Sequence, residues 1–156
     1  MKPKILFILH LPPPIHGAAM MGKYIQESEL VNSSFDCFCI NLATAGSLSD
    51  IGHISLKKLL KYFFLLKHIS HVVREIRPEL VYITPNAGGK AFFKDFIVVQ
   101  MLKSMGCKVI AHYHNKGVSV YQSKWVYNFF YKRFFSNLKV ILLAENLYKD
   151  IAKYEQ

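Results

Sequence analysis

Five short, continuous apolar runs, each followed by a longer amphipathic run, set the tightest limit on what this chain can fold into. A strand buried on both faces reads as an unbroken apolar run, and such strands belong to parallel sheets covered by helices. The runs predict strand one at residues 4–10, with ILFIL at its centre. Strands two to five follow at residues 35–41, 80–84, 108–113 and 139–143. Between them, helices are predicted over residues 17–31, 56–76, 89–105 and 122–135, with a short last one from residue 145. Helix two carries Leu56, Leu59, Leu60, Phe63, Leu66, Ile69, Val73 and Ile76 at spacings of three and four, which reads as one core face. Pro78 prevents it from continuing, and Gly106 supplies a left-handed position after helix three. The expected fold is α/β: a Rossmann-like three-layer sandwich with a parallel sheet of five or more strands and helices on both faces. Right-handed crossovers give strand order 3-2-1-4-5 as the leading topology. Winding then reverses between strands one and four, and the crevice beyond their carboxyl ends is the expected ligand site.

Length and composition narrow this further. At 156 residues, 52% of them hydrophobic, the chain is expected to form a single domain over 1–156 with a real core. The apolar run Ile5 to Leu9 is too short for a signal peptide. No stretch approaches the roughly eighteen uncharged apolar residues of a membrane span, so the expectation is a cytoplasmic protein. Of the three cysteines, Cys37 and Cys39 stand two apart; this is not zinc-type spacing, and they read as reduced packing residues. The formal net charge of +10 attracts polyanions, whether nucleic acid, anionic lipid or phosphorylated substrates, without choosing among them.

Histidines gather where the topology puts a ligand. His10 ends strand one, His16 lies in the turn after it, and His112 and His114 close strand four. Alternation points His112 and His114 to the same side. The cluster reads as a ligand site; strand-end histidines satisfied by water, or a zinc site, are the alternatives. No carboxylate or cysteine accompanies them, so a metal is not expected. The turn Leu11-Pro12-Pro13-Pro14-Ile15-His16-Gly17-Ala18-Ala19 brings small residues to a helix start, where free N–H groups and the dipole suit a phosphate. A plain strand-to-helix connection is the other reading. A second turn, Thr84-Pro85-Asn86-Ala87-Gly88-Gly89-Lys90, lies at the same sheet edge; Asn86, Gly88 and Gly89 either bring backbone close to a substrate or merely cap helix three. Neither G-x-G-x-x-G nor G-x-x-x-x-G-K-[ST] occurs, which disfavours nicotinamide dehydrogenases and nucleoside triphosphatases.

Three segments, KILFILHLPPPIHGAAMMGKYI, YITPNAGGKAFFKDFIVVQMLKSMGCKVIAHYHNKG and VILLAENLYKDIAKY, together resemble the amino-terminal domain of GT-B glycosyltransferases. The group they look most like is the retaining WaaG-like or PimA-like bacterial cell-surface sugar transferases. The resemblance spans essentially the whole chain. It implies transfer of a sugar from a nucleotide-diphosphate sugar to a glycan or lipid-linked acceptor hydroxyl, with no further cofactor. Gly17 matches the family glycine whose backbone approaches the donor diphosphate, although His16 stands where a second glycine is usual. His114 matches the histidine that orients the transferred sugar or acceptor, and Asn115 replaces the acidic or hydroxyl residue common beside it. On this likeness the catalytic residue is His114, and the donor or acceptor contacts are His16, Gly17, Ala18, Asn86, Gly88, Gly89 and His112. Nothing in the chain matches the family's donor-binding carboxyl-terminal domain with its paired glutamates, so these residues are expected to be inactive alone.

Two helices mix bases with aromatics. Helix two has Lys57, Lys61 and His68 beside Phe64; helix four has Lys124, Lys132 and Arg133 among Trp125, Phe129, Phe130 and Phe134. Such a face suits anionic lipid, at the inner surface of the cytoplasmic membrane, unless the aromatics are core and the lysines ordinary solvated positions. Nucleic acid is disfavoured, since no RNA-binding module accompanies the mixture. The rival to sugar transfer is a non-catalytic Rossmann-like module that recruits a partner or an anionic membrane.

Overall fold

The computed structural model describes residues 2–42 and 56–154. The element order is β1 (Lys4–Leu9), α1 (Gly17–Glu27), α2 (Glu29–Ser34), β2 (Asp36–Asn41), α3 (Leu56–Ile76), β3 (Leu80–Ile83), α4 (Gly89–Ser104), β4 (Val109–Tyr113), α5 (Val118–Tyr121), α6 (Trp125–Phe135), β5 (Lys139–Leu142) and α7 (Tyr148–Ile151), the last flanked by 3₁₀ turns. The five strands make an all-parallel sheet, the Rossmann-like α/β architecture expected from the alternating runs. Its order is β2-β1-β3-β4-β5, which corrects the expected 3-2-1-4-5. Both orders satisfy right-handed crossovers, so periodicity does not choose between them. The composition of β2 does. DCFCIN would be an interior strand in the expected order, yet Asp36, Cys39 and Asn41 are exposed, which an edge position tolerates. Cys39 is therefore not the packing residue the sequence suggested. Winding now reverses between β1 and β3, so the crevice expected between β1 and β4 is not formed by neighbouring strands.

The chain divides into two compact units, Met1–Ile83 and Thr84–Gln156. In the first, β1 pairs in parallel with β2 from Lys4↔Asp36 to Leu9↔Asn41, and with β3 from Ile5↔Leu80 to Ile8↔Ile83. Flanked on both sides, Ile5 to Leu9 are all buried. One face, Ile5, Phe7 and Leu9, packs against Ile25, Val31, Phe35 and Tyr82. The helix expected over 17–31 breaks at Ser28, whose hydroxyl accepts from the Val31 N–H and caps α2.

α3 keeps its expected bounds but not its expected face. Tyr62, Ile69, Val73 and Ile76 are buried, whereas Leu56, Leu59, Leu60 and Phe63 are exposed. The apolar pattern of this helix is wider than one core face, so its first turns carry apolar groups that no described residue buries.

In the second unit, β4 pairs in parallel with β5 from Ile110↔Lys139 to Tyr113↔Leu142. Aromatic packing holds α4 to α6. Phe92, fully buried, meets Tyr131 at 4.6 Å and Phe134 at 5.6 Å between ring centroids, while Phe93 and Phe96 meet the Phe130 ring edge-on. Lys103 closes the end of α6: its ammonium donates to the carbonyls of Arg133 at 3.1 Å, of Phe134 at 2.6 Å, and of Ser136. Gly106 takes the expected left-handed conformation at φ 77° after α4.

Candidate functional site

The candidate residues fall into two sets, one in each unit. In the first unit, β1 ends at Leu9 and the chain turns through His10 and the three prolines into α1. The Asn41 side chain steadies the start of this turn, accepting from Leu11 N–H at 3.2 Å and donating to Leu11 C=O at 3.5 Å. His16 caps α1: its Nδ1 accepts the Ala19 N–H at 3.3 Å. An accepting nitrogen holds no proton, so the proton of the neutral ring sits on Nε2. With Ala19 satisfied, the Gly17 and Ala18 N–H groups remain the open donors of the first turn among the described residues. His10 and His16 lie with ring centroids 6.0 Å apart.

The two glycines of α1 have different grounds. A methyl group at Gly22 would fall 2.2 Å from the His10 carbonyl oxygen, so the helix approaches the end of β1 only because that residue is glycine. A methyl group at Gly17 would meet nothing within 4 Å. Packing does not explain Gly17, whose site is open to a ligand. Gly17 stands out in the sequence at a helix start, whereas Gly22, inside a helix, carries no distinguishing pattern.

In the second unit, the turn after β3 is held from four sides. Asn86 donates twice to Asp95 Oδ2, from its backbone N–H and its Nδ2, each at 2.8 Å. The Ala87 N–H donates to Asn115 Oδ1 at 3.1 Å, and the Ala87 carbonyl accepts from the Tyr131 hydroxyl. Gly88 lies so close to Tyr121 that a methyl group there would stand 2.3 Å from the ring. Gly89 has φ 68°, a conformation that favours glycine. The Ala87–Asn115 bond brings the loops after β3 and β4 together, so Asn86, Gly88 and Gly89 share a neighbourhood with the segment that follows His114.

His112 and His114 do point to one side, with ring centroids 4.3 Å apart, while Tyr113 between them is buried. Burial, and secondly the neighbouring His114, pull His112 down to about 4; burial also lowers His114. Both imidazoles are thus neutral near pH 7. His114 Nε2 is buried and has no hydrogen-bond partner among the described residues. The Asp150 carboxylate braces the loop after β4, accepting the Gly117 N–H at 2.8 Å and those of Val118 and Ser119 at 3.0 Å each, plus the Ser119 hydroxyl. Burial alone would raise Asp150, but these four bonds outweigh it and hold the carboxyl below its ordinary range. Asp95 goes the other way: burial pushes it up to about 6 against the pull of the Asn86 bonds.

Asp95, Tyr131, Asp150 and Asn41 are the supporting residues that the sequence reading missed. One had a visible signal. Asp95 sits on the stripe Phe92, Asp95, Val98, Val99 and Leu102, all buried, and an acid on a core stripe marks a polar contact worth seeking. Asp150 had none, since its partners lie more than thirty positions away in sequence.

Among the described residues, no group of three or more His, Cys, Asp or Glu could hold a metal ion. No helix among them is long and apolar enough to cross a membrane. The arrangement offers hydrogen-bond donors at a helix start for an anion, and a pair of neutral imidazoles that can exchange hydrogen bonds with hydroxyls. No protein-family model, curated protein or solved structure matches the chain.

Proposed function

We propose that this chain is the acceptor-side, amino-terminal domain of a GT-B glycosyltransferase acting on cell-surface or lipid-linked glycans at the cytoplasmic side of the membrane. It is inactive without a donor-binding domain. The observation that carries the reading is the neutral pair His112 and His114, with the unpartnered Nε2 of His114, at the carboxyl end of a parallel strand. A neutral imidazole is a poor counter-ion for diphosphate and a good hydrogen-bond partner for sugar hydroxyls. His114 then orients the transferred sugar or the acceptor. The Gly17 and Ala18 N–H groups, at the positive end of α1, which His16 caps, meet the diphosphate. Asn86, Gly88 and Gly89 form the firm turn near the acceptor. In the reaction, the bond between the sugar's anomeric carbon and the diphosphate breaks, and the acceptor oxygen bonds to that carbon with retention. The nucleotide diphosphate leaves with the bonding pair and the acceptor's proton. The test is release of nucleotide diphosphate by the full-length protein from a panel of uridine- and guanosine-diphosphate hexoses, with a lipid-linked acceptor present. Release that requires the acceptor supports the reading; no release from any donor removes it.

A second reading, a binding module at an anionic membrane, is favoured by α6. Trp125 is 81% exposed, and Arg133 lies over the exposed Phe129 ring at 5.1 Å, beside exposed Lys124 and Lys132. Phe134, by contrast, is fully buried and takes no part.

A further inference from the structure

The first turns of α3 carry a second apolar face that serves no core among the described residues. Leu56, Leu59, Leu60, Phe63 and Phe64 are each between 50% and 73% exposed, and no residue from 56 to 61 is buried. At 100° per residue these five side chains fill a solvent arc opposite the buried Tyr62 and Ile69. Five large apolar side chains within nine residues form a contiguous patch, unlike the scattered exposure ordinary for a soluble surface. One border is basic. Lys57 and Lys61 line one edge of the arc, and Lys67, one turn after Phe63, lies within it, its ammonium 4.7 Å from the centre of that ring. No acidic residue occurs in α3 before Glu75.

We propose that this face of α3 docks on an anionic lipid surface, with Leu56, Leu60, Phe63 and Phe64 entering the acyl boundary and Lys57, Lys61 and Lys67 meeting the headgroups. The assignment rests on the membrane part of the second reading above and not on sugar transfer. Charge selects the occupant. A second copy of the chain would bring a lysine border against a lysine border under a net charge of +10, whereas an anionic surface complements that border. The helix then lies in the plane of the interface, apolar arc down and cations at headgroup level, a geometry open to a helix held to its unit by the opposite side.

The experiment uses the 156-residue chain and vesicles of phosphatidylcholine with or without phosphatidylglycerol, read by co-sedimentation at low and high salt. The account expects pelleting with the anionic vesicles alone, lost at high salt. The double variant Leu60→Glu, Phe63→Glu should weaken it by more than about tenfold. Lys57→Gln with Lys61→Gln should weaken it about fivefold per charge. Because Trp125 is the single tryptophan, moving the fluorophore by Trp125→Phe with Phe64→Trp reports on α3 alone. A blue shift of the indole emission of that relocated variant on anionic vesicles supports the assignment even if the charged double variant fails to fold. Pelleting without that shift would move the contact elsewhere, α6 first, and overturn it. No pelleting at low salt, or a concentration-dependent dimer abolished by the double variant, would overturn it too. None of these readouts depends on nucleotide-sugar turnover, so loss of the transferase reading would leave them standing.

Discussion

At the residue scale, two glycines in one helix separate packing from binding. Gly22→Ala presses a methyl group into the His10 carbonyl, and overpacking of this kind costs about 1–3 kcal/mol. Gly17→Ala meets open space, so the account expects an unchanged or slightly raised melting temperature with weaker donor binding. Thermal melts of both variants, with donor KM measured on the full-length protein, check the pair. Equal losses of stability would refute the distinction. His112 supplies a pH signature. Burial, then the neighbouring His114, hold its folded value at about 4 against 6.5 unfolded, so between those values the unfolded chain binds more protons. This contribution makes stability fall as pH drops from 6.5 toward 4. Asp95 opposes it, because burial raises its folded value to about 6 and favours the folded state on the acid side. Melts of wild type and His112→Gln across that range isolate the histidine part: the variant should lose less stability on acidification. Parallel curves would contradict the assignment.

At the element scale, the strands and the helices α3 and α4 were legible because each has its own period, and the ends of those helices because Pro78 and Gly106 terminate a helix in a known way; the break at Ser28 and the short α5 carry no such signal. Neighbour relations were less legible. The position of β3 beside β1 depends on which strand tolerates an edge, a property spread thinly over Asp36, Cys39 and Asn41. The exposed arc of α3 was hidden for a related reason: apolar residues at Leu56 and Leu60 continue the same three-four spacing as Ile69 and Val73, and spacing does not say where a helix outruns its core. Likewise, α6 reads as apolar nearly all round, yet Tyr131, Phe134 and Phe135 are buried while Trp125 and Phe129 are exposed. Its end depends on Lys103. Burial pulls that ammonium down to about 8, while three carbonyls at the negative end of a helix dipole favour its charged form. Lys103→Met should leave those carbonyls unmet and destabilise the chain by about 1–3 kcal/mol, read by denaturant unfolding. A change within experimental error would mean that water replaces the lysine without cost.

At the scale of the whole molecule, the parallel α/β sheet was foreseeable and the chemistry less so. The histidines could be located from the sequence because strand ends are. Their pairing within each unit, the neutral state of His112 and His114, and the braces from Asp95, Asn115 and Asp150 arise from contacts between distant positions that no local pattern encodes. The transferase reading joins these features into one claim, that His114 orients the reacting sugar or acceptor. The most direct measurement is sugar transfer by the full-length protein, wild type against His114→Ala, with thermal melts of both. His114→Ala should lose turnover by about a hundredfold or more at an essentially unchanged melting temperature. Wild-type turnover in a folded His114→Ala variant would contradict it.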